Sequence, residues 1–219
     1  MTTRTAMGVV AGLALGRLAA RTLGVTPAER VTPLPGDGLV ADAPVSVTRA
    51  ISIAAPPERV WPWLVQIGQD RGGFYSYDAV ENLFGLDVHS AERIEQCWQD
   101  LAVGDPVRLA PGTPLRVAAL RPRAHLVLAE GPGAASPRFS WAFVLRTEPG
   151  GTRLVVRERY AGGGAAARLG AEALVPVSAV MTRRMLRGIR ERAERAGQAA
   201  RPGSGPGAAT APGAPAGIR

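Results

Sequence analysis

A series of short apolar runs, separated by turn residues, leads into one long amphipathic segment, and this order limits the folds that the chain can adopt. The clearest pair is residues 138–146 and 153–160, in which apolar and small or polar side chains alternate on either side of Pro149-Gly150-Gly151. A period of two around a glycine-containing turn predicts a β-hairpin. Three earlier runs predict further strands of an antiparallel meander, at 106–110, 114–120 and 124–130.

After Gly162-Gly163-Gly164 the pattern changes to a helical one. Apolar residues recur every four positions, and arginines take the other side; the apolar row is Val177, Met181, Met185, Ile189 and Ala193. Pro176 is expected at a helix start or a kink. One long helix is the element we expect to cover the concave face of the sheet, because a strongly curved sheet cannot bury that face against itself.

The N-terminal part of the domain predicts one strand and two short helices. Residues 45–53 alternate as a strand, and Arg49 interrupts the apolar row, which suggests a solvent-exposed end. Pro56-Pro57-Glu58 is typical of a helix start. A second short helix is predicted over 74–83, with Ser76 or Asp78 as its cap.

The charge is unevenly distributed. All 26 basic residues are arginine, and the net charge of +8 lies within residues 150–219, which hold 12 arginines and 4 glutamates. Such a region can meet a membrane surface, a nucleic acid or an acidic partner, or it can be a solvated helix face. Because Glu191 and Glu194 are interleaved with the arginines, we favour the solvated face and expect no specific nucleic-acid partner.

Composition divides the chain into a short apolar N-terminal segment (1–24), an irregular lead-in (25–44), one domain (45–196) and a disordered Pro/Gly/Ala-rich tail (197–219). The uncharged run at 6–15 is too short to span a bilayer. We interpret this run first as a membrane-touching helix, second as a secretion signal and last as a true membrane span. Cys97 is the only cysteine, which fits a reducing cytoplasm; we expect a cytoplasmic protein, with membrane association through the N-terminal segment as the alternative.

Several stretches resemble the START-like (SRPBCC) superfamily, which includes polyketide cyclases and dehydrases and lipid-transfer domains. The resemblance begins at the Ala-Ala-Pro-Pro-Glu-Arg-Val-Trp sequence of residues 54–61 and continues through the aromatic and glycine-rich residues 61–78. Residues 87–91, 98–99 and 103–105 are similar to an actinobacterial branch of that superfamily. The resemblance covers about residues 33–196. It implies an α+β helix-grip fold, in which a curved antiparallel sheet wraps around a long C-terminal helix and encloses a ligand cavity.

The candidate site residues form a polar and aromatic cluster and an apolar cavity lining. Aromatic walls with a few convergent polar groups suit a medium-sized organic ligand. The cluster contains Tyr75, Tyr77, Asp78, Glu81, His89, Arg93 and Trp98, and the lining contains Trp141, Phe143, Met181 and Met185. The alternative is that the aromatic residues of 74–77 only pack the short helices and that Asp78 is a cap.

Glu158 is a further candidate, because it shares a strand face with Leu154 and Val156. It is either a polar anchor in the cavity, paired with Arg49 or Arg116, or a strand-end carboxylate that reaches water. The two histidines and the single cysteine give no zinc spacing, and we expect neither a metal nor a cofactor. No nucleophile elbow, phosphate loop or dinucleotide motif is present, and no catalytic residue is assigned.

Three functions remain open. The first is binding of a hydrophobic or aromatic small molecule or a lipid in the cavity, without catalysis. The second is an enzyme of polyketide cyclase or dehydrase type, in which tyrosine, arginine and a carboxylate steer an enolate. The third is a membrane-associated or partner-binding protein that uses the basic C-terminal helix.

Overall fold

The computed structural model describes residues 21–78, 82, 87–110, 113–130 and 137–199. A single antiparallel sheet contains six strands in the order β1-β6-β5-β4-β3-β2. The strands are β1 (Val45–Ile53), β2 (Pro106–Ala110), β3 (Thr113–Arg121), β4 (His125–Glu130), β5 (Phe139–Glu148) and β6 (Gly151–Tyr160). β2 to β6 form the predicted meander, and the first strand pairs with the last.

Three α-helices accompany the sheet within the described residues. They are α1 (Pro27–Val31), α2 (Pro57–Val65) and α3 (Ala165–Ala199), and short 3-10 turns lie at Asp37–Val40 and Gln96–Trp98. α3 begins directly after Gly164, whose φ of 93° only glycine adopts without strain. Of the two predicted positions for Pro176, a helix start or a kink, the helix start is wrong, because α3 begins at Ala165 and continues through Pro176. Pro176 is exposed at this point of the helix.

This architecture is the helix-grip fold, and the sequence-based prediction of fold class is confirmed. Every predicted strand is present to within two residues at each end. The second short helix differs, because residues 74–77 form a bend and helical geometry begins only at Asp78. Most of the remainder of that predicted helix, residues 79–81 and 83, lies outside the described residues.

The core lies between the concave face of the sheet, α2 and the C-terminal half of α3. Met185, Ile189 and Ala193 of α3 are buried there among side chains from both other elements. The N-terminal half of α3 instead packs Ala171 and Val175 against Val45 and Val47 of β1. The first half of α3 therefore lies over β1, and an open space separates it from β2 and β3.

The lead-in lies against the convex face of the sheet and is held by arginines of β6. Thr26 and Glu29 form a capping box that begins α1. Glu29 also accepts hydrogen bonds from Arg153 at 2.8 Å, which lower the pKa of its carboxyl to about 2. Arg157 donates to Asp37 (2.7 Å) and to the carbonyl of Glu29 (2.9 Å). Much of the positive charge of β6 is thus neutralised or hydrogen-bonded within the fold.

Within the described ranges, no helix combines the length and apolarity that a bilayer crossing requires. The uncharged run at 6–15 and the predicted tail beyond Ala199 lie outside those ranges.

Candidate functional site

An apolar groove opens where the first half of α3 leaves the sheet uncovered. Its volume is about 340 Å³. Leu174, Val177, Ser178 and Met181 form the helix side. The sheet side is formed by Leu109, Leu115, Glu130, Phe139 and Tyr160. The rings of Phe139 and Tyr160 pack with their centroids 5.0 Å apart, so one wall of the groove is aromatic.

A buried ion pair lies behind this groove. Arg49 is only 1% exposed and its Nη1 donates to Glu158 Oε1 at 2.8 Å. The expectation of a solvent-exposed strand end at Arg49 is therefore wrong, and so is the alternative that Glu158 reaches water. β1 and β6 are neighbours, and Val47 is directly opposite Glu158, which brings Arg49 diagonally across from the carboxylate. Arg116, the other partner considered, donates to the carbonyl of Gly104 instead.

Hydroxyl groups complete the hydrogen bonding of this carboxylate. Ser178 Oγ and Tyr160 OH both donate to Glu158 Oε2, at 2.5 and 3.0 Å. Thr182 Oγ1 donates to Oε1 at 3.0 Å. Burial, then the charge of Glu158 and its hydrogen bond, raise the pKa of Tyr160 above its usual range. Ser178 and Tyr160 therefore belong both to the groove wall and to the charged network behind it.

The two methionines expected to line the cavity lie in different environments. Met181 is half-buried and lines the groove, whereas Met185 is buried in the core. An α-helix advances about 400° in four residues, so a row spaced by four drifts about 40° around the helix at each step. The row that begins at Val177 is consequently exposed at its first member and fully buried at Ala193.

Trp141 and Phe143 belong to the core rather than to the groove lining. Their ring centroids are 4.6 Å apart, and Trp141 also packs against Phe74 at 6.3 Å. The indole Nε1 of Trp141 is buried without a hydrogen-bond partner among the described residues. The sequence placed both residues on the concave face, as observed, but the groove opens farther toward the start of α3.

Tyr75 is a packing residue in this structure. Its hydroxyl donates to the carbonyl of Trp63 at 3.0 Å, and the two rings meet edge to face at 5.8 Å. The guanidinium of Arg192 lies 5.0 Å from the Tyr75 ring centroid. Tyr75 has φ of 56°, an unusual conformation for a tyrosine, and burial raises the pKa of its phenol. These contacts connect the bend at 74–77 to α2 and α3.

The other members of the predicted cluster do not converge on the groove. Tyr77, His89 and Arg93 are exposed. Asp78 accepts hydrogen bonds from the backbone N–H and the hydroxyl of Ser90 at 2.7 and 2.6 Å, and so fixes a loop. Trp98 is half-buried, and Glu81 lies outside the described residues. A ligand role for this cluster stays a prediction.

The stretch at 61–78, which carries most of the resemblance, joins the loops around α2. Gln66 is fully buried; its side chain donates to the carbonyl of Arg93 and accepts from the N–H of Glu95, both at 3.1 Å. Arg71 donates to the carbonyls of Val65 and Trp98, both at 2.9 Å, and burial lowers its pKa. This stretch is scaffold, which explains a distinctive pattern that contributes no residue to the apolar groove.

Sequence reasoning missed Ser178, Thr182 and Tyr160. The signal was the spacing of Ser178 and Thr182, which are four residues apart and therefore adjacent on one side of α3. Both are short hydroxyl side chains beside an apolar row, and on their own they are equally typical of a solvated helix face. No group of three or more potential metal ligands occurs among the described residues.

No protein-family model matches this chain, and a search of curated proteins gives no match either. Solved structures with a similar fold include protein MLL2253 from Mesorhizobium loti, at 18% identity and a TM-score of 0.41, covering 69% of this chain and 98% of that one. Another is the Polyketide_cyc-like protein Cgl2372 from Corynebacterium glutamicum, at 15% identity and a TM-score of 0.43, covering 71% and 95%. A third is DynU16, from the dynemicin biosynthetic locus, at 17% identity and a TM-score of 0.38, covering 65% and 46%. These likenesses carry no conclusion about activity.

Proposed function

We propose that this domain binds an uncharged, mainly apolar small molecule, or the apolar part of a lipid, in the groove between the first half of α3 and the sheet. The observation that carries the proposal is an apolar groove backed by a charge-balanced polar network. Its volume of about 340 Å³ lies at the lower end of the range for small-molecule sites. We assign no reaction to it.

The polar network favours an uncharged ligand. The charges of Arg49 and Glu158 balance each other, and Nη1 of Arg49 already donates to Glu158, Ser178 and Thr182. A carboxylate ligand would need a cation that this network already uses. The oxygens of Ser178 and Tyr160 can accept a hydrogen bond while they donate to Glu158. The favoured ligand therefore has an apolar body and one hydroxyl or N–H group.

One observation favours the enzyme alternative. Tyrosine, arginine and a carboxylate do meet at the groove, as Tyr160, Arg49 and Glu158, although not as the residues selected from the sequence. Against catalysis, the Tyr160 proton is already donated to Glu158, and the raised pKa of the phenol makes it a weaker acid. An enolate would also lie beside a negative carboxylate. Binding without chemistry is therefore our first proposal.

Two matched probes test the ligand class. N-phenyl-1-naphthylamine is neutral and apolar, and 8-anilinonaphthalene-1-sulfonate is the same skeleton with one sulfonate. We expect the neutral probe to bind with enhanced emission and the anionic probe to bind at least about tenfold more weakly, a difference of about 1.4 kcal/mol. Equal or tighter binding of the anionic probe would contradict the proposed ligand class.

Two matched substitutions test the place of binding. Met181→Trp adds bulk in the groove and should abolish probe binding at little cost in stability. Met185→Trp makes the same change one turn later, in the packed core, and should destabilise the fold by about 1–3 kcal/mol through overpacking. If Met181→Trp leaves probe binding unchanged, the groove is not the site. If it destabilises as much as Met185→Trp, the groove is not a usable cavity.

A further inference from the structure

One side of the first half of α3 is apolar and exposed, and its edge at Val177 also borders the groove. We call this surface the outer apolar face; it consists of Leu169, Ala173, Val177 and Val180, whose spacing of three and four residues places them in one stripe. The three larger side chains are between 56% and 69% exposed. Between Arg168 and Arg183 the only charged residue of the helix is Glu172, at the flank of the stripe. Single exposed apolar residues are ordinary, but a contiguous stripe marks an interaction surface.

The described part of the chain starts close to this surface. The N–H of Ala50, on the free edge of β1, donates to the carbonyl of Leu23 at 3.1 Å. The carbonyl of Gly24 accepts from Arg153 at 2.5 Å. Arg21 then forms an ion pair with Glu172 of α3. The described chain therefore starts beside the flank of the outer apolar face, one helical turn from Leu169.

The segment that precedes Arg21 has matching chemistry. Residues 6–15 are ten consecutive uncharged residues, Ala-Met-Gly-Val-Val-Ala-Gly-Leu-Ala-Leu. The fifteen residues from 6 to 20 span about 23 Å even as a helix, and the outer apolar face is about 16 Å long. Length, position and apolar character thus all suit this segment as the occupant. We propose that the outer apolar face of α3 is the docking surface for residues 6–15 of the same chain.

The test uses no groove ligand, and its reporter position, Ala173, does not line the groove. In a Cys97→Ser background of the full chain, Ala173→Cys places a thiol at the centre of the outer apolar face with a minimal change in size. Ala102→Cys, in an exposed turn before β2, is the matched control. Each is combined with the native N-terminal segment or with Leu13→Asp and Leu15→Asp together, which make the segment polar. The reaction rate with a soluble disulfide reagent is measured at several protein concentrations.

We expect the thiol of Ala173→Cys to react with the reagent about tenfold more slowly in the chain with the native segment than in the chain with the polar segment. Burying apolar side chains of this size shifts the docking equilibrium by about that factor of ten. The control thiol should react equally in both. Equal rates at position 173 would overturn the proposal. Protection that survives Leu13→Asp and Leu15→Asp and grows with protein concentration would also overturn it, because a second copy would then be the occupant. Protection seen only after neutral phosphatidylcholine vesicles are added would assign the face to lipid and overturn it as well.

Discussion

Removing the guanidinium of Arg49 should be among the most destabilising single changes available in this fold. Arg49→Met keeps most of the side-chain length but leaves Glu158 buried without its cation. Three hydroxyl donors would remain on the carboxylate, from Ser178, Thr182 and Tyr160. Breaking a buried pair by removing one partner costs about 3–5 kcal/mol. For a chain of this length, that lowers the melting temperature by roughly 6–20 °C.

The double variant separates the value of the pair from the cost of an orphaned charge. Arg49→Met combined with Glu158→Gln removes both charges, and the amide oxygen can still accept from the hydroxyls. We therefore expect the double variant to be more stable than Arg49→Met alone, by about 1–3 kcal/mol. With Glu158→Gln measured alone as well, the three variants give the coupling energy, for which residues that share a network show about 0.5–3 kcal/mol.

The assay is urea unfolding followed by far-UV circular dichroism at pH 7, with linear extrapolation of the free energy of unfolding. Two results would refute the reasoning. A free energy of unfolding for Arg49→Met within about 1 kcal/mol of the parent value would mean that water reaches the carboxylate and replaces the guanidinium. A double variant less stable than Arg49→Met would mean that the second substitution adds damage rather than relieving an unpaired charge.

Two further predictions concern the convex face and the start of the aromatic bend. The hydrogen bond from Arg153 lowers the pKa of Glu29 from 4.5 to about 2, so the ionised carboxylate contributes up to roughly 3 kcal/mol to the free energy of unfolding above pH 4.5, and this contribution is lost as the pH falls toward 2. Glu29→Gln should therefore weaken the pH dependence of the free energy of unfolding in urea between pH 5 and pH 2.5. Parallel pH profiles of the variant and the parent would contradict this. A Cβ at Gly188 would lie 2.4 Å from the carbonyl oxygen of Tyr75, so Gly188→Ala should lower the melting temperature. Gly170→Ala, in open space on the same helix, should raise the melting temperature, because alanine gains about 0.5–1 kcal/mol in helix propensity over glycine. Similar melting temperatures of the two variants would exclude the close contact.

The fold was predictable because its elements differ in period. β5 and β6 alternate in steps of two around a glycine turn, and α3 follows a glycine run with a helical period. These signals are local, so a single sequence carries them. The bend at 74–77 was harder, because its aromatic residues are held by Trp63 and Arg192, which are distant in sequence from one another.

The groove was predictable only in part. The sequence indicated the two elements that form it and selected Met181 of its lining, as well as Glu158, which lies in the network behind it. It also extended the lining to Met185, Trp141 and Phe143, which lie in the core. The drift of a four-residue repeat around α3 explains part of this difference. How far a helix separates from a sheet along its length depends on the crossing angle, which periodicity does not encode.

The pairing of the first strand with the last has a consequence for biosynthesis. Arg49 and Glu158 are 109 residues apart in the chain, so their contact closes a long loop whose entropy must be offset before any of its stabilisation is gained. The hairpins from β2 to β6 close locally, but β1 stays unpaired until Tyr160 has been translated. At about 5–20 residues per second, that leaves an apolar, β-prone segment waiting for roughly 5–20 s on each nascent chain. The architecture that surrounds α3 therefore leaves its own first strand without its sheet partner for most of synthesis.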